Sequence, residues 1–211
     1  MKIAFFGESP ADQVALTVLT EGILGERPEF PNMDLEGHGV TGVLNALAGV
    51  FRGVYYNSDA EGLVVAVDND DTELHDPDHD KDGEGREDCR FCQIRKAIAQ
   101  AKKHLRPKPG RGQLKVAMGV AVPAIEALYL VGKEHQVGEA VWRAGLAVNQ
   151  RPFTRAKLKE MVYGTARPSL ELETECATKE AWRIINNINA IETAFPTGFG
   201  LMASEIRSWK S

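Results

Sequence analysis

Hydrophobic residues occur in two kinds of pattern along the first part of the chain. Short apolar runs occur in KIAFFG at the start, in LVVAVDND around residue 65 and in KVAMGVAV around residue 118. Such runs are typical of strands buried on both faces of a parallel sheet. Apolar residues at helical spacing occur between them, in ADQVALTVLTEGIL, VTGVLNALAGVFRG and CRFCQIRKAIAQAKKHL. This alternation predicts an α/β fold in which helices flank a mostly parallel sheet.

After the last of these predicted strands, the apolar residues occur only at helical spacing. PAIEALYLVG predicts a helix that starts with proline, and four further helices are predicted at GEAVWRAGLAV, RAKLKEMVYG, KEAWRIINNINAIETAF and GLMASEIRSWK. We therefore expect an α/β domain at residues 1–132 and a helical extension at residues 133–211 that packs on it.

Composition narrows the class of protein. A chain of 211 residues with 43% hydrophobic content can bury a sizeable core. No stretch approaches the roughly 18 apolar residues that a membrane helix needs, and MKIAFFGESP lacks the layout of a signal peptide. Three cysteines are too few for a disulfide framework, which fits a reducing compartment. We expect a cytoplasmic protein that does not enter a membrane.

Acidic side chains follow each predicted strand. Glu8 and Asp12 come after the first strand, Asp68 and Asp70 end the central one, and Glu126 follows the last. The carboxyl ends of parallel strands meet at one edge of a sheet, so these groups should converge there. Their hard oxygen ligands suit Mg²⁺ or Mn²⁺. Two such ions about 4 Å apart can activate water and stabilise the leaving oxygen in phosphodiester cleavage.

The charge is distributed unevenly. A net charge of −5 by itself argues against a nucleic-acid partner, but no acidic residue occurs between Asp88 and Glu126. The basic segment in this interval, residues 95–115, is predicted to contact backbone phosphates. The side chains concerned are Arg95, Lys102, Lys103, Arg106, Lys108 and Arg111. The alternative is that they form the solvated face of a helix and an exposed loop.

The acidic motifs resemble those of the Toprim domain, which topoisomerases, bacterial primases, small ribosomal-RNA maturases and the OLD (overcoming lysogenization defect) nucleases share. Toprim domains carry a glutamate after the first strand and an Asp-x-Asp after a later one, which here are Glu8 and the pair Asp68 and Asp70. The spacing of Glu8 and Asp12 is similar to the OLD-type motif. Ser9 departs from the pattern, because glycine usually follows the glutamate.

Two further features resemble a group of small, poorly characterised Toprim-like proteins. In that group a Pro-x-x-Glu follows a late strand, which corresponds to Pro123 and Glu126 here. A lysine in a late helix also precedes a turn similar to Pro-x-Gly-Phe, which corresponds to Lys179 and FPTGFG.

The resemblance implies a Toprim-like, Rossmann-like fold and a Mg²⁺-dependent nuclease that hydrolyses phosphodiesters, with DNA favoured over RNA. The catalytic residues would be Glu8, Asp68, Asp70 and Lys179. OLD-type nucleases often work beside an ATPase, in phage defence or on mobile elements. Because the chain has no G-x-x-x-x-G-K-[ST] loop, such an ATPase would be a separate polypeptide. A homodimer also fits the resemblance.

The stretch after the central strand carries a second possible metal site. His75 and His79 are spaced H-x-x-x-H, and Cys89 and Cys92 form C-x-x-C, so together they could hold a structural zinc ion. The alternative is a solvated acidic loop. DHDKDG also matches the start of a calcium loop, but Cys89 stands where that loop needs a bidentate glutamate.

Two other classes of function stay open. A Toprim-like fold could serve as a non-catalytic regulatory or assembly module that binds a protein partner. A phospho-acceptor receiver domain also binds Mg²⁺ through aspartates, but it places the paired acids after the first strand, whereas here they follow the central one. The receiver domain is therefore the weaker alternative.

Overall fold

A parallel sheet lies at the centre of the protein, as the pattern predicts. The computed structural model describes residues 1–33, 35–81, 85–133 and 137–210, so Asp82 and Gly83 of the calcium-like sequence lie outside the described residues. The strands are β1 (Ile3–Phe6), β2 (Gly62–Asp68) and β3 (Lys115–Ala121). They are parallel and lie in the order β1-β2-β3. The prediction of an α/β fold with a parallel sheet flanked by helices is confirmed.

Most helices coincide with predicted segments, but the helix predicted at KEAWRIINNINAIETAF begins earlier, at Leu170, and is interrupted at Ile185–Asn187. The α-helices are α1 (Pro10–Leu24), α2 (Gly39–Asn57), α3 (Arg90–Lys103), α4 (Ile125–Tyr129), α5 (Glu139–Ala147), α6 (Arg155–Tyr163), α7 (Leu170–Ile184), α8 (Ile188–Ala194) and α9 (Leu201–Ser208). Short 3₁₀ helices occupy Pro77–Asp80 and Ile185–Asn187, and a π-helical turn occupies Pro196–Gly200. Within the described ranges, no helix combines the length and the apolar character needed to cross a membrane.

Helix α1 begins directly after the first strand because its cap is encoded locally. Ser9 accepts a hydrogen bond from the Asp12 N–H, and Pro10 occupies the first turn. The helix ends at Gly25, which adopts the left-handed conformation with φ of 68°. Ser9, the departure from the usual Toprim glycine, thus serves as the N-cap and brings Asp12 next to the end of β1.

The helical extension completes the core of the sheet. Helices α2 and α3 pack on each other and contact β2 and β3, whereas α1 and α9 pack on each other and contact β1 and β3. Gly119 of β3 lies so close to α9 that an added Cβ would come within 2.7 Å of the Met202 sulfur. Glu205 of α9 accepts a hydrogen bond from the Met118 N–H at 2.8 Å and so satisfies a backbone donor of β3. The last helix is therefore part of the α/β core.

The strand register decides which residues meet at the carboxyl edge of the sheet. Phe6 of β1 pairs with Val65, and Asp68 pairs with Ala121 of β3. Beyond the strands, the N–H of Asn69 donates to the carbonyl of Ala121 at 2.8 Å, and the N–H of Asp70 donates to the carbonyl of Pro123 at 2.9 Å. The loops after β2 and β3 are thereby held side by side.

Candidate functional site

The carboxyl edge of the sheet brings together acids from all three strand ends. Glu8 accepts a hydrogen bond from the Asp68 N–H at 2.5 Å, which ties the end of β1 to the end of β2. Asp68 is only 6% exposed, and its Oδ1 accepts a hydrogen bond from the Ile125 N–H at 3.0 Å. This second bond ties the end of β2 to the start of α4, which follows β3. We call Glu8, Asp12, Asp68 and Glu126 the acid cluster.

Burial and mutual repulsion raise the pKa values of three carboxyl groups in the acid cluster, those of Glu8, Asp12 and Asp68. Burial raises the pKa of Glu8 to about 7, and the charge of Asp12 adds to the effect. Burial likewise raises the pKa of Asp12 to about 6, with a contribution from Glu126. The pKa of Asp68 lies well above its ordinary value because the group is buried and faces the other three carboxyls. The positive charge around the acid cluster is therefore too small to neutralise its carboxylates.

Glu126 is the least satisfied member of the acid cluster. It is 3% exposed, and its Oε2 has no hydrogen-bond partner in the described part of the chain. The hydroxyl of Tyr163 lies next to it, and the pKa of this tyrosine is raised by burial first and then by the charge of Glu126. A buried carboxylate oxygen without a donor is costly, so the position suits a cation.

Arginines from the start of α6 neutralise part of this edge. Arg155 donates to Asp68 Oδ2 at 2.6 Å and to Asp70 Oδ1 at 2.8 Å. Asp70 has a left-handed backbone with φ of 51°, a conformation that aspartate tolerates better than most residues. Arg151 pairs with Asp71 at 2.7 Å. The Asp-x-Asp motif thus faces guanidinium groups, and Arg155 bridges its two acids.

A lysine of α6 pairs with a glutamate that lies near the acid cluster. Lys159 donates to Glu173 of α7 at 2.5 Å. Glu173 is near enough to Asp12 for its charge to raise the pKa of that group. The cations around the cluster therefore come from α6, which contacts both α4 and α7.

Lys179 does not join these cations. It is exposed and lies six residues after Glu173 on α7. At 1.5 Å per residue and 100° per residue, this separation puts it about 9 Å further along the axis and on another side of the helix. Its charge is not among the main influences on the carboxyl pKa values of the acid cluster.

Most of the basic segment lies at the opposite edge of the sheet. Helix α3 runs from the carboxyl end of β2 back to the amino end of β3, so the residues after it lie about 20 Å from the acid cluster. There Lys108 donates to the Tyr56 carbonyl at 2.7 Å, and Arg111 donates to the carbonyls of Val54 and Ala60. Lys102, Lys103 and Arg106 belong to the same end of the molecule. Arg95 lies near the start of α3, where it pairs with Asp80.

The basic residues that do reach the acid cluster occur in RPFTRAKLK, residues 151–159, which has four cations in nine residues. Thr154 caps the helix there by accepting a hydrogen bond from the Lys157 N–H at 3.2 Å. In the sequence, these basic residues could have been noticed from the high density of cations at a capped helix start. It does not reveal proximity, because the segment lies more than 80 residues after Asp68 in the chain.

The predicted zinc ligands form a second, separate cluster. His75, His79, Cys89 and Cys92 are buried, and one ligand atom from each lies within 4.8 Å of the others. The Nδ1 of His75 is 3.7 Å from both sulfurs, and the Nδ1 of His79 is 3.8 Å from the sulfur of Cys92. With the usual Zn–S and Zn–N lengths, nitrogen and sulfur ligands of a tetrahedral site stand about 3.5 Å apart. This zinc-ligand cluster could bind a metal such as zinc.

The far sides of both imidazoles face carboxylates. The Nε2 of His75 lies 3.7 Å from Asp80, and the Nε2 of His79 lies 3.6 Å from Glu73. Metal-binding histidines commonly direct their other nitrogen to a carboxylate, which orients the ring and raises its basicity. The surroundings of the imidazoles, as well as the four ligands, therefore fit a metal.

The raised pKa values predict a stability that falls as the pH rises when no divalent metal is added. The native state keeps protons on Glu8 and Asp12 up to pH values of about 7 and about 6, respectively. The unfolded chain releases the same protons near pH 4. Because the native state binds more protons in this window, the free energy of unfolding should decrease between about pH 4 and 7.

Glu8→Gln removes one titrating group and keeps the oxygen that accepts from the Asp68 N–H. The decrease in unfolding free energy between pH 5 and 8, measured by urea denaturation, should be smaller by about 1 to 3 kcal/mol than in the wild type. Glu171→Gln, at an exposed position of α7, should leave the decrease unchanged. A Glu8→Gln profile that matches the wild type would contradict the raised pKa.

Comparisons with known proteins assign no function to this arrangement of residues. Comparison of the chain with family models, with curated proteins and with solved structures gives no match. The Toprim assignment therefore stays a prediction that depends on the motifs in the sequence. The function has to be argued from the acid cluster, the cations of α6 and the zinc-ligand cluster.

Proposed function

We propose that the protein is a metal-dependent phosphodiesterase that cleaves nucleic acid. The observation that carries this proposal is the acid cluster, in which four carboxyls from three strand ends are held together with too little positive charge, and burial raises the pKa of three of them, Glu8, Asp12 and Asp68. Such a site is stabilised by a divalent cation. The cations beside it suit a substrate with negative charge, such as a phosphodiester.

Oxygen ligands at this edge favour Mg²⁺ or Mn²⁺. Glu8, Asp68 and Asp70 would hold the metal, while Asp12 and Glu126 complete or orient its surroundings. When bound, the metal would supply an activated water and a Lewis acid for the leaving oxygen. The chain itself supplies the rigid edge of the sheet, which fixes these carboxyls before substrate arrives.

Arg155 has two roles in this proposal. In the metal-free protein its guanidinium neutralises Asp68 and Asp70. With a metal held by these acids, the guanidinium of Arg155 would be free to donate to a phosphate, for which its paired N–H donors are well suited. Arg155 is thus a better candidate than Lys179 for stabilising charge on the phosphoryl oxygens.

The zinc-ligand cluster would have a structural role. A tetrahedral site with four protein ligands leaves no open position for a substrate. Its histidines come from the acidic loop after β2, and its cysteines come from the start of α3. A zinc ion there would fix this loop to the helix and so support the position of the neighbouring Asp70. The proposal therefore combines a structural soft-metal site with a catalytic hard-metal site.

The nature of the nucleic acid and the cellular setting depend on resemblance alone. DNA is favoured over RNA because the motifs resemble the OLD-type nucleases. A separate ATPase and a role in phage defence or on a mobile element follow from the same resemblance. The basic segment, at the other edge of the sheet, would contact phosphates about 20 Å from the reacting one.

A non-catalytic module that binds a protein partner is the second candidate. The bridge from Arg155 to Asp68 and Asp70 favours it, because this bridge neutralises the Asp-x-Asp motif without a metal. On this alternative, the acid cluster stabilises the fold and does no chemistry. Cleavage assays separate the two candidates.

Asp68→Asn should lower cleavage of plasmid and single-stranded DNA at least 100-fold in the presence of Mg²⁺ or Mn²⁺, because it removes a metal ligand. The measurement is the initial rate of product formation on gels. Asp59→Asn is the matched control, since Asp59 is exposed and pairs with Lys2. Equal cleavage by both variants, or no cleavage by the wild type with either metal, would count against the catalytic proposal and favour the non-catalytic module.

Arg155→Gln should affect metal binding and turnover in opposite directions. Loss of the bridge leaves Asp68 and Asp70 free, so the Kd for Mn²⁺ measured by calorimetry should fall several-fold. Turnover at saturating metal should fall at least 10-fold, because the phosphate loses a donor. Weaker metal binding together with full turnover would contradict both proposed roles of Arg155.

Zinc content tests the second site. The purified wild type should carry about one zinc ion per chain by mass spectrometry, and Cys92→Ser should lose it and melt at a lower temperature. Cys176→Ser is the matched control, because Cys176 lies in α7 and outside the cluster. Zinc retained by Cys92→Ser, or absent from the wild type after expression with added zinc, would rule out the structural zinc.

A further inference from the structure

A pocket of about 240 Å³ adjoins the acid cluster. It lies between the loop after β2 and the segment that leads into α6. The residues that matter for its chemistry are Asp70, Pro123, Trp142, Arg151, Phe153 and Arg155. We call it the aromatic pocket. Because Asp70 and Arg155 belong both to this pocket and to the proposed catalytic edge, an occupant would lie directly beside the reacting phosphate.

The walls of the aromatic pocket combine flat apolar surfaces with charged groups. Phe153 supplies a partly exposed aromatic ring, and Pro123 adds a second apolar surface. Trp142 is only 3% exposed, so it backs the pocket as a buried support. The guanidiniums of Arg151 and Arg155 supply hydrogen-bond donors. An occupant should therefore be flat and carry hydrogen-bond acceptors.

A nucleobase has this chemistry. Its faces stack on aromatic rings and on guanidinium planes, and its edges carry both donors and acceptors. Asp70 and Asp71 pair with Arg155 and Arg151, respectively, but each carboxylate keeps lone pairs that can accept from a base. The remaining N–H groups of the arginines can donate to the ring nitrogens and carbonyls of the base. The volume is smaller than the roughly 300 Å³ at which pockets for drug-sized ligands begin, so one base fits and a base pair does not.

We propose that the aromatic pocket holds one unpaired base of a single-stranded nucleic acid, next to the phosphodiester that is cleaved. This inference rests on the proposed function and names its substrate class. A base inside a duplex can reach such a pocket only after it is unpaired and unstacked, which costs free energy. Single strands and frayed ends are therefore the preferred substrates, and intact duplex is the poor one.

Binding can be measured apart from cleavage. With no divalent metal added, the full chain should bind a fluorescent ten-nucleotide single strand of thymidines at least 10-fold more tightly than a labelled duplex of the same length, as measured by anisotropy. Phe153→Ala should weaken binding of the single strand about 10-fold, because one stacking face is lost, and should leave duplex binding unchanged. Phe153→Trp keeps a stacking face and should retain tight binding.

The matched control is Phe30→Ala. Phe30 is 58% exposed, lies outside the aromatic pocket and stacks near Phe5 of β1. This substitution should change neither affinity. Equal affinity of the wild type for single strand and duplex, or equal losses in Phe153→Ala and Phe30→Ala, would overturn the base pocket.

A second measurement needs no variant. Thymidine monophosphate should quench the tryptophan fluorescence of the wild type at lower concentration than deoxyribose 5-phosphate, because only the nucleotide brings a base to Trp142. Equal responses to the two compounds would overturn the proposal even if Phe153→Ala failed to fold. Base binding without cleavage would support the base pocket and reject the nuclease. Cleavage without a preference for a base would support the nuclease and reject the base pocket.

Discussion

The structure depends on the burial of negative charge at the carboxyl edge of a small parallel sheet. Parallel strands bring their carboxyl ends to one edge, and here each end is followed by an acid. Water is largely excluded from Asp68 and Glu126, so their mutual repulsion is weakly screened. Backbone donors at Asp68 and Ile125 hold two of the acids in place, but they do not neutralise them. Bound protons or cations must offset the remaining charge.

The helical extension supplies those cations, which makes it part of the site. Arg155 reaches the end of β2, and Lys159 reaches a carboxylate beside Asp12. Helix α9 contributes to the core by packing on Gly119 of β3. The boundary predicted near residue 132 therefore separates two patterns in the sequence. Residues on both sides of this boundary nevertheless form the carboxyl edge of the sheet and supply the cations that face its acids.

The loop after β2 carries two sets of side chains that could bind metals. Its start holds Asp68 and Asp70, whose oxygens suit a hard cation that exchanges water. Its later part holds His75 and His79, which together with two thiols suit a soft, closed, tetrahedral site. Because both sets belong to one loop, fixing the later part to α3 limits the positions open to the earlier part. A metal bound at the later part would therefore help a stretch so rich in acids to lie against a folded core.

The sequence by itself determined the strands, the helices, the acids at the strand ends and the spacing of the four zinc ligands, because each depends on local periodicity or on short motifs. It did not determine which cations meet the acids. The basic segment was the stronger signal in the sequence, but α3 carries most of it to the opposite edge. Arg155 lies 87 residues after Asp68 and reaches it only through the packing of α6 on α4. Contacts between distant segments are set by how helices pack, and only the tertiary structure decides them.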